Sequence, residues 1–531
     1  MNSVKRYPFS FFRSSLAFLV LISTCSSVLT PSTYATAPDH FQQGTPTEAR
    51  PSRNSQSTYK LSRQDEVFIE DLQRRSFQYF WEQADSVTGL VPDRARMDRA
   101  PLAASHHNVA SIAATGFSLT ALCIAAERAW ITSQQARERT RYTLRFFADK
   151  AFQQRGWFYH WLDAKTGERR WNSEISSIDT ALLLAGALTA RQYFHNDREI
   201  VALANKIYDR VDFKWMLNGD PYLLSHGWKP ETGFLKPRWD TYSEDTILYL
   251  LAIGSTTHPI PPASWYAFWR DRYRYEGHSY FTTIGVPLFM HQYSHAWIDF
   301  RNRREVKGDR IDYFENSISA TLAHRAFCIN LSGEFREFGP DIWGITASDS
   351  AKGYLAWGGP PRDPTIDGTL VPSAPGGSLM LTPEVAVAAL RTMREKYGNR
   401  IYGVYGFVDA FNPHTGWIDS DVIGINVGII LLSAENMRTG NVWQWFMRNR
   451  EIPRAMTKIG LLKYSKPRKF ANADCQLPIS PQRSDVSTVR RQPLNLSATE
   501  DAALPPFRAV RFTLPAPMHT FFQREAQPRA R

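Results

Sequence analysis

Carboxylic side chains set among aromatic rings recur through the middle of this 531-residue sequence. They are Glu174 and Asp179 in SEISSID, Glu244 in TYSED, Asp312 and Glu315 in DYFEN, and Asp349 in ASDS. Two carboxyl groups facing one bond can divide acid from base or nucleophile, which is the chemistry of glycoside cleavage. The rings point the same way, because the C–H faces of a sugar stack on Trp and Tyr while its hydroxyls need fixed donors and acceptors. Residues 285–358 are the densest such stretch, with GVPLFMHQYSHAWIDFR, DYFENS, WGITASDS and GYLAWG.

Three of these acids have a plainer reading. Asp179, Glu244 and Glu315 each stand three residues after a possible N-cap, at Ser176, Thr241 and Asp312, so each could close a capping box. If the helices they open begin at one rim, the acids and the preceding Glu174 converge on a cavity instead. His291 and His295 lie four apart, without the glutamate of H-E-x-x-H, and are expected to bond sugar hydroxyls or structural partners rather than a metal. Trp343, Tyr354 and Trp357 sit in glycine-containing loops and are candidate stacking rings. Arg325 is expected to bind a hydroxyl or to neutralise Asp312 or Glu315. Asp367, Asp409 and Glu435 suit loop ties as well as substrate contact.

The elements that must position these groups read as helices. Apolar spacings of three and four occur at 67–80, 109–129, 136–152, 175–193, 200–211, 246–253, 265–273, 289–300, 318–329, 385–393 and 422–434. Strand-like alternation is scarce, and no repeat of 20–50 residues marks a solenoid. The count suits an all-α double ring of helices with long loops over one rim.

The ends are different material. Lys5, Arg6 and Arg13 precede an apolar run at 16–22, and Ala35-Thr36-Ala37 fits a cleavage site, so residues 1–37 read as a signal peptide. Cys25 gives a weak lipoprotein pattern. Export to the periplasm or the outside is therefore expected, with no stable membrane insertion after cleavage. Residues 38–60 form a polar leader, 61–465 the folded unit, and 466–531 a basic, Pro-containing tail. Of the formal charge of +12, the tail holds +6 and the first 60 residues +4, so the folded middle is nearly neutral. A nucleic-acid partner is not expected from such a distribution. The widely spaced cysteines Cys123, Cys328 and Cys475 form no metal motif, and no dinucleotide, P-loop or hydrolase-elbow motif is present, so no cofactor is indicated.

Several blocks in order, including SEISSIDTALLLAGAL (173–188), YSEDTILYLLAIGSTTHP (242–259), WGITASDSAKGYLAWGGPP (343–361), DGTLVPSAPGGSLMLTPE (367–384) and SAENMRTGNVWQWFM (433–447), resemble the bacterial glucoamylase-like family. The resemblance spans roughly residues 65–460. It implies an (α/α)6 barrel and a glycoside hydrolase acting on β-glucan, foremost β-1,2-glucan, with a polysaccharide or oligosaccharide as partner. It also implies that Glu174 and Glu244 are the catalytic pair, with Asp179, Asp312, Glu315 and Asp349 as pocket candidates. Ser350 departs from the glycine that relatives commonly have. Two rival readings are a noncatalytic glycan-binding or envelope protein and a lyase or epimerase on the same barrel.

Overall fold

The computed structural model describes residues 59–465, except Ile284 and Val286. The signal segment, nearly all of the leader and the tail expected above lie outside the described residues, as does Cys475.

The described helices are α1 (Arg63–Gln83), α2 (Ile112–Glu127), α3 (Ser133–Arg145), α4 (Ser177–Tyr193), α5 (Arg198–Asp209), α6 (Phe213–Met216) and α7 (Thr246–Gly254). They continue with α8 (Tyr293–Trp297), α9 (Tyr313–Asn330), α10 (Ser373–Gly377), α11 (Pro383–Tyr397), α12 (Gly424–Arg438), α13 (Asn441–Phe446) and α14 (Glu451–Ile459). They fall into two kinds. Helices α2, α4, α7, α8, α10 and α12 are buried on nearly every side, whereas α1, α3, α5, α11 and α14 bury one apolar stripe and expose charged residues. A helix that is apolar all round must be covered by others, and an amphipathic one can supply the cover. The core therefore lies between an inner and an outer helical layer.

Helices α2 and α4 approach unusually closely because each carries a glycine at the contact. A Cβ on Gly186 would stand 2.0 Å from the Gly116 carbonyl oxygen, and one on Gly116 would stand 2.3 Å from that of Leu182. Side chains there would force the two helices apart.

Very short strands lead into inner helices. Val109–Ser111 runs into α2, Ile175–Ser176 into α4 and Asp421–Ile423 into α12. Their antiparallel partners are Val91–Pro92 and Trp161–Asp163 for the first, Gly227–Lys229 for the second and Arg94–Arg96 for the third. This pairing gathers the helix starts with Asp93, Arg94, His160 and Glu174, which the sequence scatters. Serine caps fix two of the starts: the Ala114 N–H donates to Ser111 Oγ at 3.1 Å, and the Asp179 N–H donates to Ser176 Oγ at 3.2 Å.

Two expected helices differ. Residues 265–273 instead complete a 3-10 turn, Pro262–Tyr266, and enter a hairpin in which Asp271–Tyr275 pairs with His278–Thr282. Asp-Arg-Tyr-Arg-Tyr alternates with a period of two, and Glu276 and Gly277, with φ of 44° and 79°, make the tight turn. Residues 289–300 shrink to the 3-10 turn Leu288–His291 followed by α8. Among the described residues no helix is long and apolar enough to cross a membrane. Cys123 and Cys328 are buried free thiols, as the apolar helical pattern around them implies.

Candidate active site

Glu174, Asp179 and Glu244 share one neighbourhood at the starts of α4 and α7. Glu174 ends the loop before Ile175–Ser176, and the strand opposite passes it at Gly227, where a Cβ would lie 2.9 Å from Glu174 Cγ. His160 joins the acids of α4. Its Nδ1 is 3.0 Å from Glu174 Oε1 and its Nε2 is 3.5 Å from Asp179 Oδ1, while its backbone N–H donates to the Glu174 carbonyl at 2.9 Å. The imidazole stacks on Trp161 with centroids 4.0 Å apart. Burial alone would deprotonate this ring, but Asp179 and Glu174 outweigh it and push its pKa up to about 9. Burial likewise raises Glu174, yet the hydrogen bond and charge of His160 hold it down at about 2. Glu174 is thus an ionised carboxylate locked to an imidazolium.

Glu244 has the opposite environment. Among the described residues its buried Oε2 has no hydrogen-bond partner, and its carbonyl accepts from Ser294 Oγ at 2.7 Å. Burial, reinforced by the charge of Asp179, pushes its carboxyl up to about 7. Two carboxyl groups whose environments drive them apart in this way are poised for different roles, one holding a proton and one not. Glu244 is not part of a capping box, because α7 opens two residues later after Asp245 with no side-chain cap.

A second group of acids is linked to the first through Tyr293. Carboxylate oxygens of Asp349, Asp409 and Asp419 all lie within 4.8 Å of one another. Arg94 supplies the positive charge beside them, with guanidinium nitrogens 2.6 Å from Asp349, 3.0 Å from Asp93 and 3.7 Å from Asp421. Burial raises Asp409 to about 7 and Asp419 to about 8, with the neighbouring carboxylates adding to both. Asp409 accepts from Asn426 Nδ2 at 2.7 Å and from the Asp349 N–H at 2.9 Å. Tyr293 on α8 connects the two groups: its phenol is raised by burial and then by Tyr354, Glu244, Asp409 and Asp179.

Of the expected site residues, Glu174, Asp179 and Glu244 come together in the first group, and Asp349, Asp409 and Tyr354 in the second. The others do not. Asp312 caps α9, accepting from the Phe314 and Glu315 N–H groups at 3.1 Å, and its other oxygen takes the Tyr464 hydroxyl at 2.5 Å. The capping role therefore holds for Asp312, while Glu315 lies near Tyr464. Arg325 donates to the Pro340 carbonyl at 2.8 Å and neutralises neither acid. Trp343 and Trp357 are fully buried in the core rather than presented to a cleft, because their glycine-containing loops fold inward. His291 bonds Thr282 Oγ1 at 3.1 Å and His295 bonds Ser317 Oγ at 2.9 Å. Burial holds both at about 3, so they are neutral core histidines. Asp367 ties its own loop through Thr369, and Glu435 anchors Gln73 and Arg128.

His160, Arg94, Asp93 and Asp419 were not singled out from sequence. The signal available for His160 was its place in YHW, among rings and 14 residues before Glu174. Arg94 carried none, since it reaches Asp349 only through the pairing of Arg94–Arg96 with Asp421–Ile423.

The chain is similar to several known proteins. The family model described as "Putative glucoamylase" matches residues 236–450. An exo β-1,2-glucooligosaccharide sophorohydrolase (non-reducing end) from Parabacteroides distasonis is 28% identical over 446 residues, covering 77% of this chain but 60% of the relative's own length. An endo-β-1,2-glucanase from Chitinophaga pinensis, solved with sophorotriose and glucose, is 30% identical with a TM-score of 0.70, covering 76% of this chain and 99% of that one. The endo-β-1,2-glucanase of Talaromyces funiculosus, solved with sophorose, shares the fold at 13% identity and a TM-score of 0.53, over 74% and 89% of the two chains.

Proposed function

The chain belongs to the glucoamylase-like family of glycoside hydrolases, and from that premise we propose that it hydrolyses β-1,2-glucan or its oligosaccharides by acid-assisted inversion. The observation that carries the mechanism is the buried carboxyl of Glu244, raised to about 7 so that it holds a proton below neutrality, with one oxygen that has no hydrogen-bond partner among the described residues. Glu244 gives its proton to the glycosidic oxygen as the C–O bond breaks. An ionised carboxylate across the sugar then draws a proton from water as that water attacks the anomeric carbon. Glu174, ionised and fixed by His160, is the first candidate for this second role.

A second candidate for the base is Asp419, whose buried Oδ2 has no hydrogen-bond partner among the described residues; because burial and its neighbours raise its carboxyl to about 8, it can accept a proton only once ionised, so a base at Asp419 predicts activity that climbs with pH towards 8. Azide rescue separates the two. A small anion restores turnover only where the missing carboxylate faced the anomeric carbon, so Glu174→Ala and Asp419→Ala should respond differently.

The finer architecture is part of the same proposal: an (α/α)6 barrel occupying 61–465, exported by the segment 1–37. In its support, all-round buried helices are interleaved with one-sided ones along the chain, and α12 packs on α2, bringing the last inner helix against the first. The test of function incubates the protein with linear β-1,2-glucan, β-1,3-glucan and starch, and follows new reducing ends. Turnover of the first is expected and should vanish in Glu244→Gln. Turnover of starch alone would overturn the substrate, and ultraviolet-absorbing unsaturated products would favour a lyase.

A further inference from the structure

The loop between Trp161–Asp163 and Ile175–Ser176 contains backbone that its side chains do not favour. Trp171 and Asn172 take left-handed φ values of 54° and 48° in succession. For a residue as bulky as Trp this conformation is an outlier, and it persists only where neighbours over-determine it. Arg169 does so here by donating to the Asn172 carbonyl at 2.7 Å and to the Ser173 carbonyl at 2.5 Å, while pairing with Glu231 at 2.5 Å. The kink turns the indole out of the core and against the exposed loop 101–108.

The rings around it lead to the acids. Trp171 meets Trp161 at 5.3 Å, and Trp161 stacks on His160, the partner of Glu174. Trp171 also meets His106, nearly perpendicular to it, with centroids 5.4 Å apart. His106 in turn senses Arg94, Asp93 and Asp349, so this row of rings runs from one acid group to the other. The indole N–H of Trp171 is already used, donating to the Ser105 carbonyl at 3.1 Å. What the partly exposed indole has left to offer a ligand is an apolar face, and that suits the C–H face of a pyranose rather than a hydroxyl or a charge.

We propose that Trp171, backed by Trp161 and His106, is a glucosyl-binding platform beside Glu174 that holds a sugar unit away from the bond being cleaved. The assignment rests on the glucan-hydrolase reading for the identity of the sugar. A platform remote from the scissile bond contributes binding only to chains long enough to reach it. A residue that merely pins loop 101–108 would affect all substrates alike.

The test compares wild type, Trp171→Ala and Trp171→Phe on β-1,2-glucooligosaccharides from the trisaccharide to about the octasaccharide. Trp171→Ala should raise KM about tenfold for the long chains, with kcat within about twofold and the shortest substrate unaffected. Trp171→Phe, which keeps a ring and loses the N–H, should recover most of the loss. An equal defect at every length, or a Phe variant as impaired as the Ala variant, would overturn the platform in favour of a loop pin. Calorimetric binding to Glu244→Gln with and without Trp171→Ala reads affinity separately from turnover. Tight, Trp171-dependent binding by a wild-type protein that cleaves nothing would sink the hydrolase reading and leave the platform standing. Binding indifferent to Trp171 would sink the platform alone.

Discussion

At the scale of single residues the account turns on where protons sit. Glu244 must be protonated to act, and its carboxyl is raised to about 7, so activity should be full below that pH and fall as pH rises through it. A pH–kcat profile checks this: an alkaline limb near 7 is expected, and a flat profile up to pH 9 would contradict it. Glu244→Gln should lower kcat by about 10²–10⁴-fold while leaving the fold intact by circular dichroism. His160→Gln should lower kcat because it frees Glu174 from its imidazolium partner, and it should also raise the pKa of Glu174 from about 2, visible by carboxylate NMR titration. Glu174, Glu244, Asp179 and Asp349 were legible as acids among rings. His160 and Arg94 were not, because their partners are set by strand pairing between distant segments. Trp343 and Trp357 misled because a glycine-containing loop can fold into a core as readily as over a cleft.

At the scale of elements, the capping logic proved true and incomplete. Ser176 caps α4 and also donates to Asp179 Oδ2 at 2.5 Å, so one local motif both starts a helix and orients an acid. Asp312 opens a similar spacing and caps α9, away from the acids of α4 and α7. Periodicity identified the long helices, since each repeats its apolar face over several turns. It failed at 265–273, where a two-residue alternation and a Glu276-Gly277 turn make a hairpin. Packing of α2 on α4 gives a sharp stability prediction: Gly186→Ala should destabilise the protein by about 1–3 kcal/mol or more, seen as a lower denaturation midpoint. Unchanged stability would mean that the two helices can separate without loss.

At the scale of the whole molecule, charge and chemistry are segregated. The folded middle is nearly neutral, and the excess of positive charge lies in the ends, so a protein cut to residues 61–465 should keep the activity of the full chain within about twofold. A truncated protein that folds and fails to turn over would show that the ends contribute to the site. The site itself exists only at this scale, assembled from strand pairings and helix starts between residues 93 and 421. The most direct test of the central claim follows the cleavage of linear β-1,2-glucan by proton NMR from the first seconds. The account predicts new reducing ends that appear first as the α-anomer and then mutarotate. No new reducing ends, or the β-anomer appearing first, would contradict it.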